Sequence, residues 1–368
     1  MNTETASGGS AMTKIDSAFS MPRVGRLKSG SRDAITDVAG VTVGHATLAR
    51  GNCQTGVTVV RPHSGNVYLD KVPAAASIIN GFGKSTGLVQ VRELGVLETP
   101  IALTNTFGVG TVANAQIRQA CAANPQIGRE WATVNPLVFE CNDGYLNDIQ
   151  ALAVSEDDYF TAYEAADVDF AQGAVGAGRG MSSFSFKGGI GSASRLAEIQ
   201  PGAPYTVGAL VLSNFGRLPL MTIAGRPFGQ RYVERQAHET GPEKGSIILL
   251  LATDAPLDAR QLGRLSLRAS AGLARTGSVF GHGSGDIAMA FSTAYTVPHE
   301  VEREMPAQAM LHESRIDRLF EAAAEACEQA IVAALWRAET VHGRDGHVRH
   351  AITEAIPDWQ QWLSERDF

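Results

Sequence analysis

Basic residues are scarce in this chain. Its 368 residues hold 31 Lys and Arg against 38 Asp and Glu, a formal net charge of −7, and no stretch interleaves basic with aromatic side chains. A nucleic-acid binder needs a basic patch, so nucleic acid is not expected as a partner. Long apolar runs are also missing: nowhere do 18 consecutive apolar residues occur, so no segment is expected to span a bilayer. The first residues, MNTETASGGSAMTKIDSAFSMPRVGRLKSG, lack the basic-then-apolar order of a secretory signal. The four cysteines (Cys53, Cys121, Cys141, Cys327) are scattered, with no C-x-x-C pair and no short spacing to a histidine. That is neither a zinc pattern nor a disulfide framework. The expectation is a cytoplasmic protein with no metal and no cofactor.

What is present is an ordinary apolar complement, 44 % hydrophobic with 19 % charged residues, enough for a sizeable core. Alternating stretches at 40–48 and 54–61 read as strands, as do the apolar runs at 76–80, 100–104, 135–140, 205–213, 246–252 and 286–292. Between 173 and 194 glycines are dense, and Phe184 and Phe186 alternate with serines as in a strand. Helical spacing marks 85–94 (closed by Gly95), 109–122, 155–166, a helix opened by the Asp258/Gln261 capping box, and a long amphipathic helix carrying Ile316, Leu319, Phe320, Ala323, Cys327, Ile331 and Leu335. Strands come in neighbouring runs rather than in strict alternation with helices. This favours an α/β architecture of layered sheets sandwiched by helices over a doubly wound parallel sheet. No repeat or linker divides the chain, so one domain over 26–368 is expected behind a flexible tail at 1–25.

Two glycine-rich signals lead nowhere. The run Asn80-Gly81-Phe82-Gly83-Lys84-Ser85-Thr86 ends like a P-loop but has Ile78 where the phosphate cradle needs its first glycine, so a glycine turn before a helix is expected. Gly176-Ala177-Gly178-Arg179-Gly180 lacks the dinucleotide spacing and reads as close backbone packing or a binding-site turn.

The chemistry concentrates elsewhere. Ser246 follows Gly245 at the head of an apolar strand. A serine hydroxyl is a weak nucleophile unless a base stands beside it. If the chain cut its own Gly245–Ser246 bond, the new α-amine of Ser246, with an ordinary pKa of about 7.7–8.0, would be that base. Glycine before the serine suits a strained, crowded scissile peptide that a Cβ would oppose. Alone the dipeptide says little, since Gly-Ser recurs at 191–192, 277–278 and 283–284. Two further clusters add weight. Ser284 and Asp286 fall on one side of a strand start and could orient Ser246, although Asp286 could equally cap a glycine turn. Asn214, ending an apolar strand, offers an amide N–H to an oxyanion or closes an Asx turn. In Glu140-Cys141-Asn142-Asp143-Gly144-Tyr145, the Glu140 carboxylate could take a substrate ammonium or be a solvated strand end. His282, alone among nine histidines in a motif-dense stretch, is expected to be dispensable.

The ordered set resembles one family. It runs from Thr36-Asp37-Val-Ala-Gly-Val-Thr-Val-Gly44-His45 through Glu140 to Asp148, Val175-Gly-Ala-Gly178 and Phe186-Lys187-Gly188-Gly189-Ile-Gly191. It closes with Leu210-Val-Leu-Ser-Asn214, Gly245-Ser246 and His282-Gly-Ser284-Gly-Asp286, spanning roughly residues 25 to 340. The likeness is to peptidase family P1, the DmpA-like L-aminopeptidase D-Ala-esterase/amidases and β-peptidyl aminopeptidases. What this resemblance implies is a four-layer αββα sandwich like that of N-terminal-nucleophile hydrolases, with different connectivity. It also implies self-cleavage into an α chain 1–245 and a β chain 246–368 that stay associated, commonly as a homotetramer. The implied substrates are short peptides, amino-acid amides and esters, with acceptance of D-alanine or β-amino acid derivatives varying between members. Carried over by motif, Ser246 is the nucleophile, Ser284 and Asp286 support it, Asn214 donates to the oxyanion, Glu140 holds the ammonium, and Asn142 and Tyr145 are pocket or oxyanion residues. Some relatives carry Glu at the position of Asp286, which reaches less far. An acyltransferase that passes the acyl group to an amine, or an uncleaved ligand-binding member of the fold, are the alternative readings.

Overall fold

The computed structural model describes residues 21–235 and 245–365; residues 1–20 of the expected tail lie outside them. Val24, within the stretch expected to be a tail, is buried, and its N–H donates to Gln329 Oε1.

Two sheets form the centre. The first has four strands in the order β1 (Thr42–Arg50), β2 (Cys53–Arg61), β5 (Ile101–Asn105) and β6 (Leu137–Cys141), with only the last pair parallel. The second has seven strands. Its path runs β13 (Val297–Pro298), β3 (Asp70–Gly81), β12 (Ser284–Ser292), β11 (Gly245–Thr253), β10 (Ala203–Asn214) and β9 (Gly189–Gln200), and β4 (Val96–Leu97) pairs with β3 off that path. Only β11 and β12 run parallel within it. Helices α2 (Val109–Ala123) and α3 (Glu156–Glu164) cover the first sheet, and α5 (Ala259–Arg275) and α6 (Asp317–Trp336) cover the second. The short helix α1 (Leu88–Leu94) packs beside β3 and β4, and α4 (Phe228–Arg235) contributes Phe228 to the core under α5 and α6. The expected αββα sandwich is therefore present.

Strand alternation builds the layers. Along β11, Ile247, Leu249 and Leu251 enter the core under α5 and α6, while Ile248, Leu250 and Ala252 enter the core between the sheets. With both faces covered, the run is continuously apolar rather than alternating, as a doubly buried strand must be. A third core, including Val57, Val59, Val112 and Tyr159, lies between the first sheet and its helices.

Three elements differ from the sequence reading. Helix α6 is not amphipathic: every residue from Ala322 to Trp336 is buried. Its polar side chains serve an N-terminal strap instead, Glu325 accepting the N–H groups of Arg26 and Leu27 and Gln329 that of Val24, as buried polar atoms require. Strand β3 is longer than the expected 76–80, because Asp70, Lys71 and Pro73 disguise its first half. The segment around Phe184 is a hairpin, with β7 (Ser182–Ser183) paired to β8 (Phe186–Lys187). Its two loop residues, Phe184 and Ser185, have φ of 52° and 67°, the mirror-image turn that such hairpins favour and that glycine or asparagine would normally signal. The Gly176–Gly178 turn is close backbone packing, since a Cβ at Gly176 would lie 2.4 Å from Thr58 Oγ1 and one at Gly178 2.5 Å from Ile190 N. No helix among the described residues is long and apolar enough to cross a membrane.

Candidate active site

The first residues of β11 open into a cavity of about 950 Å³ at one end of the second sheet. Register puts Asn214 of β10 directly opposite Ser246 on one side and Gly285 of β12 on the other. Ser246 is 5 % exposed; its hydroxyl donates to the Gly245 carbonyl at 2.7 Å and accepts the Gly285 N–H at 3.3 Å. Gly245 sits in the crowded surroundings expected for it. Glycine is needed there for space: a Cβ would come within 2.3 Å of the Asn214 carbonyl oxygen and 2.9 Å of Phe215 Cα. The same holds for Gly285, where a Cβ would meet Phe82 O at 2.7 Å and Ser246 Oγ at 3.1 Å.

Ser284 and Asp286 are fully buried, and the Ser284 hydroxyl donates to Asp286 Oδ1 at 2.5 Å. The residue between them supplies the N–H that reaches Ser246, so the pair and the nucleophile are tied through one strand start. Asn80, opposite Asp286 in β3, pins the preceding turn: its Nδ2 donates to the carbonyls of Gly281 (2.9 Å) and Ser284.

Asn214 is held from both ends. Its Oδ1 accepts the Ser182 N–H at 2.8 Å and its Nδ2 donates to the Asn142 carbonyl at 2.9 Å. This fixes which way the amide points and leaves the second N–H of Nδ2 as a donor beside Ser246. The hairpin that delivers Ser182 is the one with left-handed Phe184, whose ring packs edge-on against Phe215 at 5.0 Å. Backbone strain of this kind persists only where neighbours enforce it, commonly at functional sites.

On the opposite wall, Glu140 is 3 % exposed, with Oε1 accepting the Lys84 N–H at 2.8 Å and Oε2 the Thr106 hydroxyl. The run that ends like a P-loop thus serves as a cavity wall whose backbone grips a carboxylate. Its helix begins after Gly87, at φ 93°. Asn142 lines the cavity, but its side-chain oxygen accepts the Gly144 N–H. Tyr145 lines it as well, stacked on His347 with centroids 4.5 Å apart. His282 is at the rim with its ring 6.1 Å from that of Phe82, and among the described residues no hydrogen bond joins its ring to Ser246. Cys141 is buried, and its thiol is pushed well up by burial and by Glu140 and Asp286 nearby, so it stays protonated. Among the described residues no group of three His, Cys, Asp or Glu side chains is placed to hold a metal ion.

All eight candidate residues therefore meet in one place: Gly245, Ser246, Asn214, Glu140, Asn142 and Tyr145 line the cavity, and Ser284 and Asp286 lie directly beneath it. Sequence reasoning missed Asn80, Thr106, Ser182 and Arg349, the last of which also lines the cavity. For Thr106 a signal existed, because it follows a buried strand that pairs with the strand of Glu140; the other three are joined to the site only by tertiary contact.

A sequence profile described as peptidase family S58 matches residues 33–349. A β-peptidyl aminopeptidase, BapA, from Sphingosinicella microcystinivorans is 38 % identical over 351 residues, covering 89 % of this chain and 87 % of its own. Among solved structures, the PH0078 protein from Pyrococcus horikoshii OT3 superposes with a TM-score of 0.88 at 48 % identity, covering 94 % of this chain and 98 % of its own. The L-aminopeptidase D-Ala-esterase/amidase from Ochrobactrum anthropi does so at 0.82 and 34 % identity, covering 92 % and 97 %. That enzyme is described as a prototype for the serine aminopeptidases and a variant of the Ntn hydrolase fold.

Proposed function

The chain belongs to peptidase family S58 and is a hydrolase of the aminopeptidase type, and from that premise we propose that it matures by cutting its own Gly245–Ser246 bond and then works through the freed Ser246. In the first step Ser246 Oγ attacks the Gly245 carbonyl carbon. The C–N bond breaks, the hydroxyl proton ends on the departing nitrogen, and an ester joins Gly245 to Oγ. Water then hydrolyses that ester, leaving a Gly245 carboxylate and an N-terminal Ser246. The single observation that carries this reading is the position of the Ser246 hydroxyl, 2.7 Å from the oxygen of that carbonyl and opposite Asn214.

In the second reaction the α-amine of Ser246 takes the hydroxyl proton, and Oγ attacks the carbonyl of the substrate's N-terminal residue. Asn214 Nδ2 donates its remaining N–H to the oxyanion; a backbone N–H is the second donor. Glu140 holds the substrate ammonium, with its own oxygens oriented by Lys84 N and Thr106. The Ser284–Asp286 pair anchors the strand start from which Gly285 N–H holds Oγ in place. Asn142 and Tyr145 shape the cavity wall. The amine product leaves with the proton, and water resolves the acyl-enzyme. The substrates are short peptides, amino-acid amides and esters, and the likeness to a β-peptidyl aminopeptidase supports trying β-amino acid N-termini first, then D-alanine derivatives. Association of the two fragments into a homotetramer is part of the same proposal.

The test is Ser246→Ala. It is expected to run as one uncut band on a denaturing gel and to hydrolyse no amino-acid amide. Maturation of that variant into two fragments would refute the scheme.

A further inference from the structure

Lys84 and Arg217 line the Ser246 cavity, and so do two further groups of opposite charge that do not meet. Glu140 is one; the other is Arg349, in the short strand β15 (Val348–Arg349), which pairs with β14 (Val341–His342). Among the described residues neither enters an ion pair. Other half-buried guanidinium groups take either a carboxylate, as Arg179 does with Glu339 and Arg231 with Glu365, or an aromatic ring, as Arg61 does with Tyr163 and Arg268 with Phe320, and of all these only Arg349 lines the cavity. Burial pulls the Arg349 pKa down, partly offset by its contact with the Tyr145 hydroxyl. Arg349 Nε is buried without a hydrogen-bond partner.

The guanidinium is nonetheless held rigidly. Its central carbon lies 3.6 Å from the centroid of the Tyr145 ring, while the His347 ring stacks on Tyr145 at 4.5 Å and 9°. Two flat groups that close to one centroid cannot share a face, so Tyr145 is sandwiched and Arg349 rests on its side away from His347. The next residue, His350, is fixed by its carbonyl to Lys187 N–H at 2.9 Å. A cation kept in place by Tyr145, with its Nε donor unused and no counter-ion, is arranged to receive a planar anion.

We propose that Arg349 binds the C-terminal carboxylate of the substrate, so that the preferred substrates are zwitterionic short peptides held by Glu140 at the ammonium and Arg349 at the carboxylate. This rests on the hydrolase reading given above and narrows its substrate class. The cavity volume suits it, since sites that enclose a whole small ligand measure about 300–1,000 Å³.

The experiment compares kcat/KM for dipeptides with a glycine C-terminus (L-, D- and β-alanyl-glycine) and for the same dipeptides as C-terminal amides. Wild-type enzyme is expected to favour the free acid about tenfold, the worth of one charge-assisted contact. In Arg349→Gln that preference is expected to fall to about one, with Arg349→Lys between the two. A wild-type ratio at or below one overturns the assignment without needing any variant. An equal loss on acid and amide in Arg349→Gln, the ratio kept, also overturns it, because that is what a purely structural prop for Tyr145 would give. If wild-type protein turns over neither form, the hydrolase reading itself fails and this inference with it. If the amide is turned over but the ratio is flat, only the role of Arg349 fails.

Discussion

Replacing Asn214 probes the oxyanion assignment most finely, because the structure fixes both ends of its amide. In Asn214→Ala the donor beside Ser246 disappears, which should raise the barrier by about 2.7–4 kcal/mol and lower kcat about 10²–10³-fold. The Ser182 N–H and Asn142 carbonyl lose their partners too, costing stability of about 1 kcal/mol each at this half-buried depth. Asn214→Asp separates charge from shape. One carboxylate oxygen can still accept from Ser182 N–H, but the other then faces the Asn142 carbonyl and puts negative charge where the oxyanion forms. The aspartate variant is therefore expected to be slower than the alanine one despite its closer shape. The assay is steady-state hydrolysis of an amino-acid p-nitroanilide, with kcat normalised to the fraction of chains that intact mass shows to be cleaved. An aspartate variant faster than the alanine variant, or an alanine variant within about threefold of wild type, would refute the placement of Asn214 at the oxyanion.

Glu140→Gln should lower kcat/KM on substrates with a free N-terminal amine about 10–100-fold, mainly through KM, and a comparable loss on esters lacking that amine would contradict its role as the ammonium site. Gly245→Ala forces a Cβ against Asn214 O and Phe215 Cα, backbone atoms that cannot yield, so the uncut fraction in a maturation time course should rise; maturation at the wild-type rate would count against the steric reading. Stability should respond to acid through two opposed groups. Burial lowers the His45 pKa from 6.5 to about 4, so its contribution is lost as pH falls through that window, because the unfolded chain takes the proton first. Burial raises Asp143 from 3.8 to about 6, so its contribution is lost as pH rises through that range. Each is worth about 3 kcal/mol at most. Melting temperatures between pH 4 and 7 should therefore fall more steeply with acid in Asp143→Asn than in wild type, and His45→Gln should level or reverse the slope; three parallel curves would contradict this.

Much of the site was legible because its residues sit at the ends of strands that announce themselves. The runs at 205–213 and 246–252 are buried on both faces, so their apolar composition marks them, and Asn214 and Ser246 follow as their terminal polar residues. Ser284 and Asp286 were legible as a pair for the same reason. The conformation of 182–187 was not, since a mirror-image turn at Phe184 and Ser185 carries none of the residues that usually mark one. Nor could the surroundings of α6 be read, because its helical period says which residues align but not that strap, sheet and helix enclose every side. Arg349 and Asn80 escaped because their partners, Tyr145 and the 281–284 turn, lie about 200 positions away in sequence. The crowding at Gly245 was legible as a position that a Cβ would oppose, though not that the end of the neighbouring strand, Asn214 and Phe215, does the crowding.

The central claim is that the nucleophile is made by scission of the chain. Intact-mass measurement on catalytically active protein, followed by N-terminal sequencing of the smaller fragment, tests it most directly. Two associated chains are expected, one ending at Gly245 and one beginning at Ser246. Full activity from a single uncut chain of 368 residues would contradict it.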